Sequence, residues 1–148
     1  MEIKKIEKRY INDLIELYNQ LLPNVKLVYN KEIEDLYNLV DNSDFYNILI
    51  GVEDEMAVSS CSLIIIPNIT HNQRPYAIIE NVITHKNYRK RGYASKLLKY
   101  AINIAKEYNC HKVLLQTRRK EKSTLEFYKK LGFNDKITTG FMIDLEED

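Results

Sequence analysis

The sequence predicts one mixed α/β domain that spans residues 1–148. The spacing of apolar residues changes along the chain from helical to strand-like and back again, which predicts both kinds of element. A chain of 148 residues can bury one compact core but is too short for two. No internal repeat, low-complexity tract or linker rich in Pro, Gly or Ser divides it.

The first third of the chain is predicted to form a short strand and two helices. The strand lies near residues 2–8. Apolar residues then recur at helical spacing from Ile11 until Pro23 ends the helix. Asn30 is predicted to cap a second helix, whose apolar positions are Ile33, Leu36, Tyr37 and Val40.

The rest of the chain is predicted to alternate between strands and helices. Short polar turns separate the elements. The predicted strands lie at 48–52, 56–66, 76–84, 113–115 and 137–145, and the predicted helices at 91–108 and 122–131. The resulting order, β-α-α-β-β-β-α-β-α-β, is typical of a mixed α/β domain.

Charge and hydropathy argue against macromolecular and membrane partners. The 22 Lys and Arg residues nearly balance the 21 Asp and Glu residues, so we expect neither nucleic-acid nor membrane binding. The first residues are charged and contain no apolar run, and the longest apolar run, Leu63–Ile66, is far shorter than the roughly 20 residues of a membrane-spanning helix. We therefore expect a cytoplasmic protein.

Two cysteines, Cys61 and Cys110, each lie within an apolar segment. This placement favours small buried side chains in a reducing compartment over a disulfide or a metal site. We expect no bound metal.

A basic loop with one glycine precedes the predicted helix at 91–108. Unpaired N–H groups and the helix dipole favour an anion at a helix start, and Gly92 lets a phosphate approach the backbone closely. Arg89, Lys90 and Arg91 add positive charge. A basic loop that is merely solvated is the alternative interpretation.

Two ordered motifs resemble those of the GCN5-related N-acetyltransferase (GNAT) superfamily. The segment 80–94 resembles its acetyl-CoA motif, a strand followed by (Gln/Arg)-x-x-Gly-x-(Gly/Ala) at a helix start, matched by Arg89, Gly92 and Ala94. The segment 123–133 resembles the second motif, a helix ending in Phe-Tyr-x-Lys-x-Gly-Phe. The resemblance implies a mixed, mostly antiparallel sheet flanked by helices, in which two parallel strands, 76–84 and 112–117, splay apart around the cofactor.

The resemblance also implies that acetyl-CoA is the acetyl donor and that no metal is needed. Backbone groups of Val82, Ile83 and Thr84 would bond the pantetheine arm. Ser123 stands where many relatives carry Asn, so its contact with the cofactor would have reduced reach or be replaced by helix capping. The remaining cofactor-binding residues implied by the motifs are Arg89, Lys90, Arg91, Gly92, Tyr93, Ala94, Ser95 and Tyr128.

Tyr128 and Glu80 are the catalytic residues that the resemblance implies. Tyr128 would protonate the leaving thiolate of coenzyme A, and a buried core tyrosine is the alternative interpretation. Glu80 would be the general base for the acceptor amine, although a carboxylate at a strand edge is often only solvated. His85 is a weaker candidate for the base, because surface histidines are common.

The acceptor is expected to be a small-molecule or peptide amine. Its pocket is predicted to involve the first two helices, residues 68–74 and residues 133–140. A non-catalytic acetyl-CoA sensor remains an alternative function, and nucleic-acid binding through the clusters 89–91 and 118–122 is a weaker one. Family members often dimerise, but no sequence feature decides whether this chain does.

Overall fold

A computed structural model describes residues 1–146, which form two compact units, residues 1–116 and 117–146. The first unit contains five strands and four helices. The strands are β1 (Glu2–Lys5), β2 (Tyr46–Glu53), β3 (Met56–Ile66), β4 (Tyr76–Thr84) and β5 (Val113–Leu115). The helices are α1 (Ile11–Leu21), α2 (Lys31–Asp41), the single turn α3 (Thr70–Gln73) and α4 (Tyr93–Glu107).

The five strands form one sheet in the order β1-β2-β3-β4-β5. The first three pairings are antiparallel, and β4 pairs with β5 in parallel. The parallel pairing runs only from Ala77 opposite Val113 to Ile79 opposite Leu115. The second half of β4, Glu80–Thr84, therefore continues beyond its neighbour. The predicted mixed, mostly antiparallel sheet is confirmed.

Helices cover both faces of this sheet because side chains alternate along the strands. Ile48 and Ile50 of β2 join a buried cluster with Tyr10 and Leu14, against which α1 and α2 pack. Glu53, on the opposite face of β2, contacts the first residue of α4. Helix α4 buries four residues of its predicted apolar stripe, Leu97, Leu98, Ala101 and Ala105, whereas Tyr108 at the end of the stripe is 40% exposed.

The second unit contains one helix, α5 (Lys122–Lys130), close to the prediction. Gly132 follows the helix end with φ of 100°, and the N–H of Phe133 donates to the carbonyl of Tyr128 at 3.2 Å. A glycine with positive φ satisfies the last carbonyls of a helix in this way.

The predicted final strand at 137–145 is wrong. No strand forms there, and Ile137, Phe141 and Ile143 are 77%, 92% and 85% exposed. The apolar residues of the segment gave it a strand-like pattern. Such a pattern stabilises a strand only when one face of the strand is buried. Almost none of the side-chain surface of this segment is buried.

Candidate functional site

The basic loop occupies the connection between β4 and α4. Gly92 is the N-cap residue that precedes α4 and adopts φ of 77°, and no side chain of residues 1–146 caps this helix start. An added Cβ at Gly92 would meet nothing within 4 Å, so glycine is required here by backbone conformation rather than by crowding. The helix start is therefore a place where N–H groups and the helix dipole can hold an anion.

The two arginines of the loop also hold the loop itself in place. Arg89 Nε donates to the carbonyl of Thr84 at 3.2 Å, and the guanidinium of Arg91 donates to the carbonyl of Asn87 at 3.3 Å. The Arg91 guanidinium lies 4.9 Å from the centre of the Tyr88 ring. Both side chains are exposed, so their positive charge still faces solvent.

Tyr93 anchors the start of α4 to the sheet. Its hydroxyl donates to the Glu53 carboxylate at the end of β2, and this hydrogen bond raises the pKa of the Tyr93 phenol. The sequence predicted Tyr93 only as a cofactor contact. The structure gives its side chain a positioning role, whereas its backbone remains part of the predicted anion site.

A β-bulge interrupts β4 at Asn81, shortly before the strand ends at Thr84. Ser62 of β3 pairs with Glu80 and Ser60 pairs with Ile83, so β4 carries one extra residue between these pairs. Asn81 accommodates it with φ of 53°. A bulge bends the strand and breaks the regular ladder, and it turns backbone groups toward new partners.

The bulge coincides with the part of β4 that β5 does not reach. Pairing with β5 ends at Ile79, one residue before Glu80. Among the described residues, no strand pairs with that side of Glu80–Thr84. Backbone groups along this edge can therefore accept an extended ligand as if it were a strand.

The backbone groups predicted to bind the pantetheine arm differ in their availability. Val82 is half-buried and none of its backbone groups bonds a side chain. The carbonyl of Ile83 accepts from the Ser59 hydroxyl at 3.1 Å, and the carbonyl of Thr84 accepts from Arg89. Because a carbonyl oxygen has two lone pairs, that of Thr84 retains capacity for a second hydrogen bond, whereas that of Ile83 also lies opposite its ladder partner Ser60.

Glu80 is exposed, and no cationic side chain of residues 1–146 forms an ion pair with it. Its carboxylate is thus available to a bound ligand. His85, the weaker candidate, accepts a hydrogen bond from the N–H of Asn87 at 3.2 Å and packs edge-on against Tyr88. These contacts give His85 a local structural role at the start of the loop.

Tyr128 and Ser123 belong to α5 in the second unit. The Tyr128 ring is half-buried between Phe127 and Phe133, with ring centres 5.1 Å and 6.1 Å away. Ser123 is exposed and follows the first residue of α5, whereas Glu121 occupies the N-cap position. Capping by Ser123 is therefore not its role in this structure.

The two cysteines are placed as predicted for structural residues. Cys61 is fully buried in β3, and burial raises the pKa of its thiol to about 12. Cys110 is half-buried, and burial raises the pKa of its thiol also. Neither forms a disulfide. Neither has the low pKa that a nucleophilic cysteine needs.

Residues 1–146 contain neither a cluster of metal ligands nor a membrane-spanning helix. No three or more His, Cys, Asp or Glu side chains are arranged to hold a metal ion. In the same part of the chain, no helix combines the length and the apolar character that crossing a membrane requires.

Comparison with known proteins identifies the family. Residues 11–133 match the family model described as the acetyltransferase (GNAT) family. The chain belongs to the GNAT family. That match includes the β4 bulge, the basic loop and α5. It confirms the family resemblance that was inferred from the two sequence motifs.

Individual GNAT proteins resemble this chain to different extents. A solved structure from Agrobacterium tumefaciens str. C58, provisionally described as an acetyltransferase, is 32% identical with a TM-score of 0.92 and covers 97% of this chain and 99% of its own. A glucosamine 6-phosphate N-acetyltransferase of Trypanosoma brucei brucei is 37% identical over 51% of this chain and 50% of its own length. A streptothricin acetyltransferase A of Bacillus subtilis (strain 168) is 38% identical over 44% and 38%. The chain thus matches at most half the length of these two curated relatives.

Some residues of the site were not predicted from the sequence. They are Glu53, which holds Tyr93, and Ser62, which pairs with Glu80 in the ladder between β3 and β4. The run Ser59-Ser60-Cys61-Ser62 within an otherwise apolar strand was the available signal, because buried hydroxyls in a core strand need a reason.

Proposed function

We propose that this chain is an enzyme that transfers the acetyl group of acetyl-CoA directly to the primary amine of a small-molecule or peptide acceptor. The observation that carries the proposal is the continuity of three features along one stretch of backbone. These are the bulge at Asn81, the edge of Glu80–Thr84 beyond β5, and the uncapped start of α4 at Gly92.

In this proposal the cofactor lies along that stretch. The pyrophosphate is bound by N–H groups at the start of α4 and by the exposed charges of the loop 89–91. The pantetheine amides bond the backbone of Val82, Ile83 and Thr84. Ser123 adds a contact through its exposed hydroxyl. The loop and helix residues that form the cofactor site are Arg89, Lys90, Arg91, Gly92, Tyr93, Ala94, Ser95 and Tyr128.

The proposed reaction is a direct attack of the amine on the thioester. Glu80 takes a proton from the acceptor ammonium, and the free amine nitrogen then attacks the thioester carbonyl carbon. The N–H of Val82 donates to the developing oxyanion, a stabilisation typically worth about 3 kcal/mol. The C–S bond breaks, Tyr128 protonates the departing thiolate, and the Tyr128 phenolate recovers a proton from the nitrogen, which loses one as the amide forms. The role of Tyr128 rests on the resemblance of segment 123–133.

The acceptor is proposed to be a small amine. Support comes from the curated relatives, whose names specify glucosamine 6-phosphate and streptothricin, both of which carry amines. A peptide amine remains within the proposal because the sequence carries no signature of any one acceptor. An exposed carboxylate at Glu80 suits a cationic ammonium in either case.

The cofactor site can be tested by calorimetric titration with acetyl-CoA. The unmodified protein should bind with micromolar affinity, about −8 kcal/mol, and Gly92→Glu should abolish binding because it sets a negative charge against the pyrophosphate. Acetyl-pantetheine, which lacks the pyrophosphate, is the control ligand and should bind both proteins equally weakly.

Transfer is then tested by following thiol release with glucosamine 6-phosphate, streptothricin and a short peptide with a free N terminus. Amine-dependent release supports an enzyme. Tight acetyl-CoA binding without release with any amine would instead indicate a sensor. Failure of the unmodified protein to bind acetyl-CoA would refute the cofactor site.

A further inference from the structure

Three hydroxyl side chains meet inside the first unit on the face of the sheet that α1 covers. Ser60 and Ser62 of β3 are both 0% exposed. Tyr18 of α1 packs against the cluster on the same face, and its phenol lies near both serine hydroxyls. Burial raises the pKa of this phenol, and the two serines act in the opposite direction. Tyr18 therefore stays protonated and can donate a hydrogen bond.

The two serine hydroxyls lack satisfied hydrogen bonds. Both serines lie close enough to Tyr18 to affect the pKa of its phenol. Among the described residues, however, neither Ser60 Oγ nor Ser62 Oγ has a hydrogen-bond partner. A buried hydroxyl without a partner is costly, so a native protein rarely keeps one without a use. Ser59, their neighbour on the other face, is fully engaged with the Ile83 carbonyl and the Thr84 hydroxyl.

The strand register places one member of this cluster, Ser62, beside Glu80. Ser62 and Glu80 are paired residues of the antiparallel strands β3 and β4. Paired residues point to the same face with Cβ atoms about 4.5 to 5.5 Å apart. The bulge at Asn81 follows immediately. Glu80 is therefore the last β4 residue before the regular pairing with β3 is interrupted.

We propose that Tyr18, Ser60 and Ser62 are positioning residues that orient the Glu80 carboxylate toward the acceptor amine through a chain of hydrogen bonds. Tyr18 donates to a serine oxygen, and Ser62 donates its single proton to a Glu80 oxygen. A hydroxyl has one donor and two acceptor positions, and a carboxylate only accepts, so the chain can run in this direction alone. The inference rests on the proposed function of Glu80.

Ser62→Ala removes the final donor with little change in volume. It should lower kcat/KM for the amine by about tenfold to a hundredfold, the usual consequence of losing one hydrogen bond to a charged group. The dissociation constant of acetyl-CoA should not change, since Ser62 does not lie on the proposed cofactor edge. Tyr18→Phe should act in the same direction.

Tyr37→Phe is the matched control for the phenol. Tyr37 packs against the same cluster from α2, and its hydroxyl lies near Asp41 and Lys8 instead of the serines. Its removal should leave amine kinetics unchanged. A general packing defect would appear in both tyrosine variants.

A double-mutant cycle tests whether Ser62 acts through Glu80. In the Glu80→Gln background, Ser62→Ala should cause less than about a twofold further loss, because interacting residues are not additive. The substrate is whichever of glucosamine 6-phosphate, streptothricin or the test peptide reacts fastest.

Equal losses in the two backgrounds, or a Ser62→Ala variant with normal amine kinetics, would overturn this inference and leave the proposed function intact. An unmodified protein that binds acetyl-CoA yet acetylates none of these amines would overturn the proposed function and this inference together.

Discussion

Replacing Gly92 with alanine separates the conformational requirement of the loop from its chemistry. Gly92 has φ of 77°, in the left-handed region, and a Cβ added there would touch no atom within 4 Å. The substitution therefore introduces no clash in the free protein. Its cost is the conformational penalty of a left-handed alanine, about 1 to 2 kcal/mol. For a chain of this size we expect Tm to fall by about 3 to 6 °C.

The same substitution should also weaken acetyl-CoA binding. The new methyl group would stand at the start of α4, where the pyrophosphate is proposed to approach the backbone. We expect the dissociation constant to rise about tenfold, equivalent to about 1.4 kcal/mol. Thermal unfolding and calorimetric titration measure the two effects on one preparation.

Gly132→Ala provides the matched control. Gly132 also has positive φ, 100°, and an added Cβ there also meets nothing within 4 Å. It should cost a similar amount of stability while changing the acetyl-CoA dissociation constant less than about twofold. If both variants weaken binding equally, or if Gly92→Ala leaves binding unchanged, the assignment of the pyrophosphate to the Gly92 loop is wrong.

Two further predictions concern single side chains. Tyr128→Phe should lower kcat by about a hundredfold with little change in acetyl-CoA affinity, as loss of a general acid does, and normal turnover would remove Tyr128 from the mechanism. Burial lowers the pKa of His111, and the charges of His71, Lys112 and Arg74 act in the same direction. His111 therefore binds its proton more tightly in the unfolded chain than in the folded one. For this reason Tm should fall as the pH drops from 7 through about 6.5 toward 5. His111→Asn should flatten this fall, and an identical pH profile in the variant would contradict the reasoning.

The sequence predicted the positions of the helices more accurately than it predicted the last strand. The apolar stripe of α4 and the N-cap Asn30 of α2 are local patterns. Helix α4 formed within two residues of its predicted ends, and α2 begins directly after its predicted N-cap. The segment 137–145 also had a suggestive local pattern but formed no strand. A strand needs a partner and a buried face, and neither requirement can be read from nine residues alone.

The short motifs that identify the family were legible in the sequence because each depends on contiguous residues. Arg89, Gly92 and Ala94 lie on one loop and the helix it begins, and Gly132 ends the helix that carries Tyr128. A loop conformation that requires positive φ selects glycine at that position, whatever the rest of the chain does.

Tertiary structure alone decided how Glu80 is surrounded. The register of β3 against β4 sets Ser62 beside it, the extra residue at Asn81 ends the regular ladder next to it, and the short β5 leaves the following edge accessible. The two strand pairings join residues 18 positions apart, Ser62 and Glu80, and 36 positions apart, Ile79 and Leu115. A shift of register by one residue would turn Ser62 to the opposite face. The sequence by itself carried the two motifs that identify the family, whereas the pairing of distant strands determined which hydroxyl stands next to the candidate base.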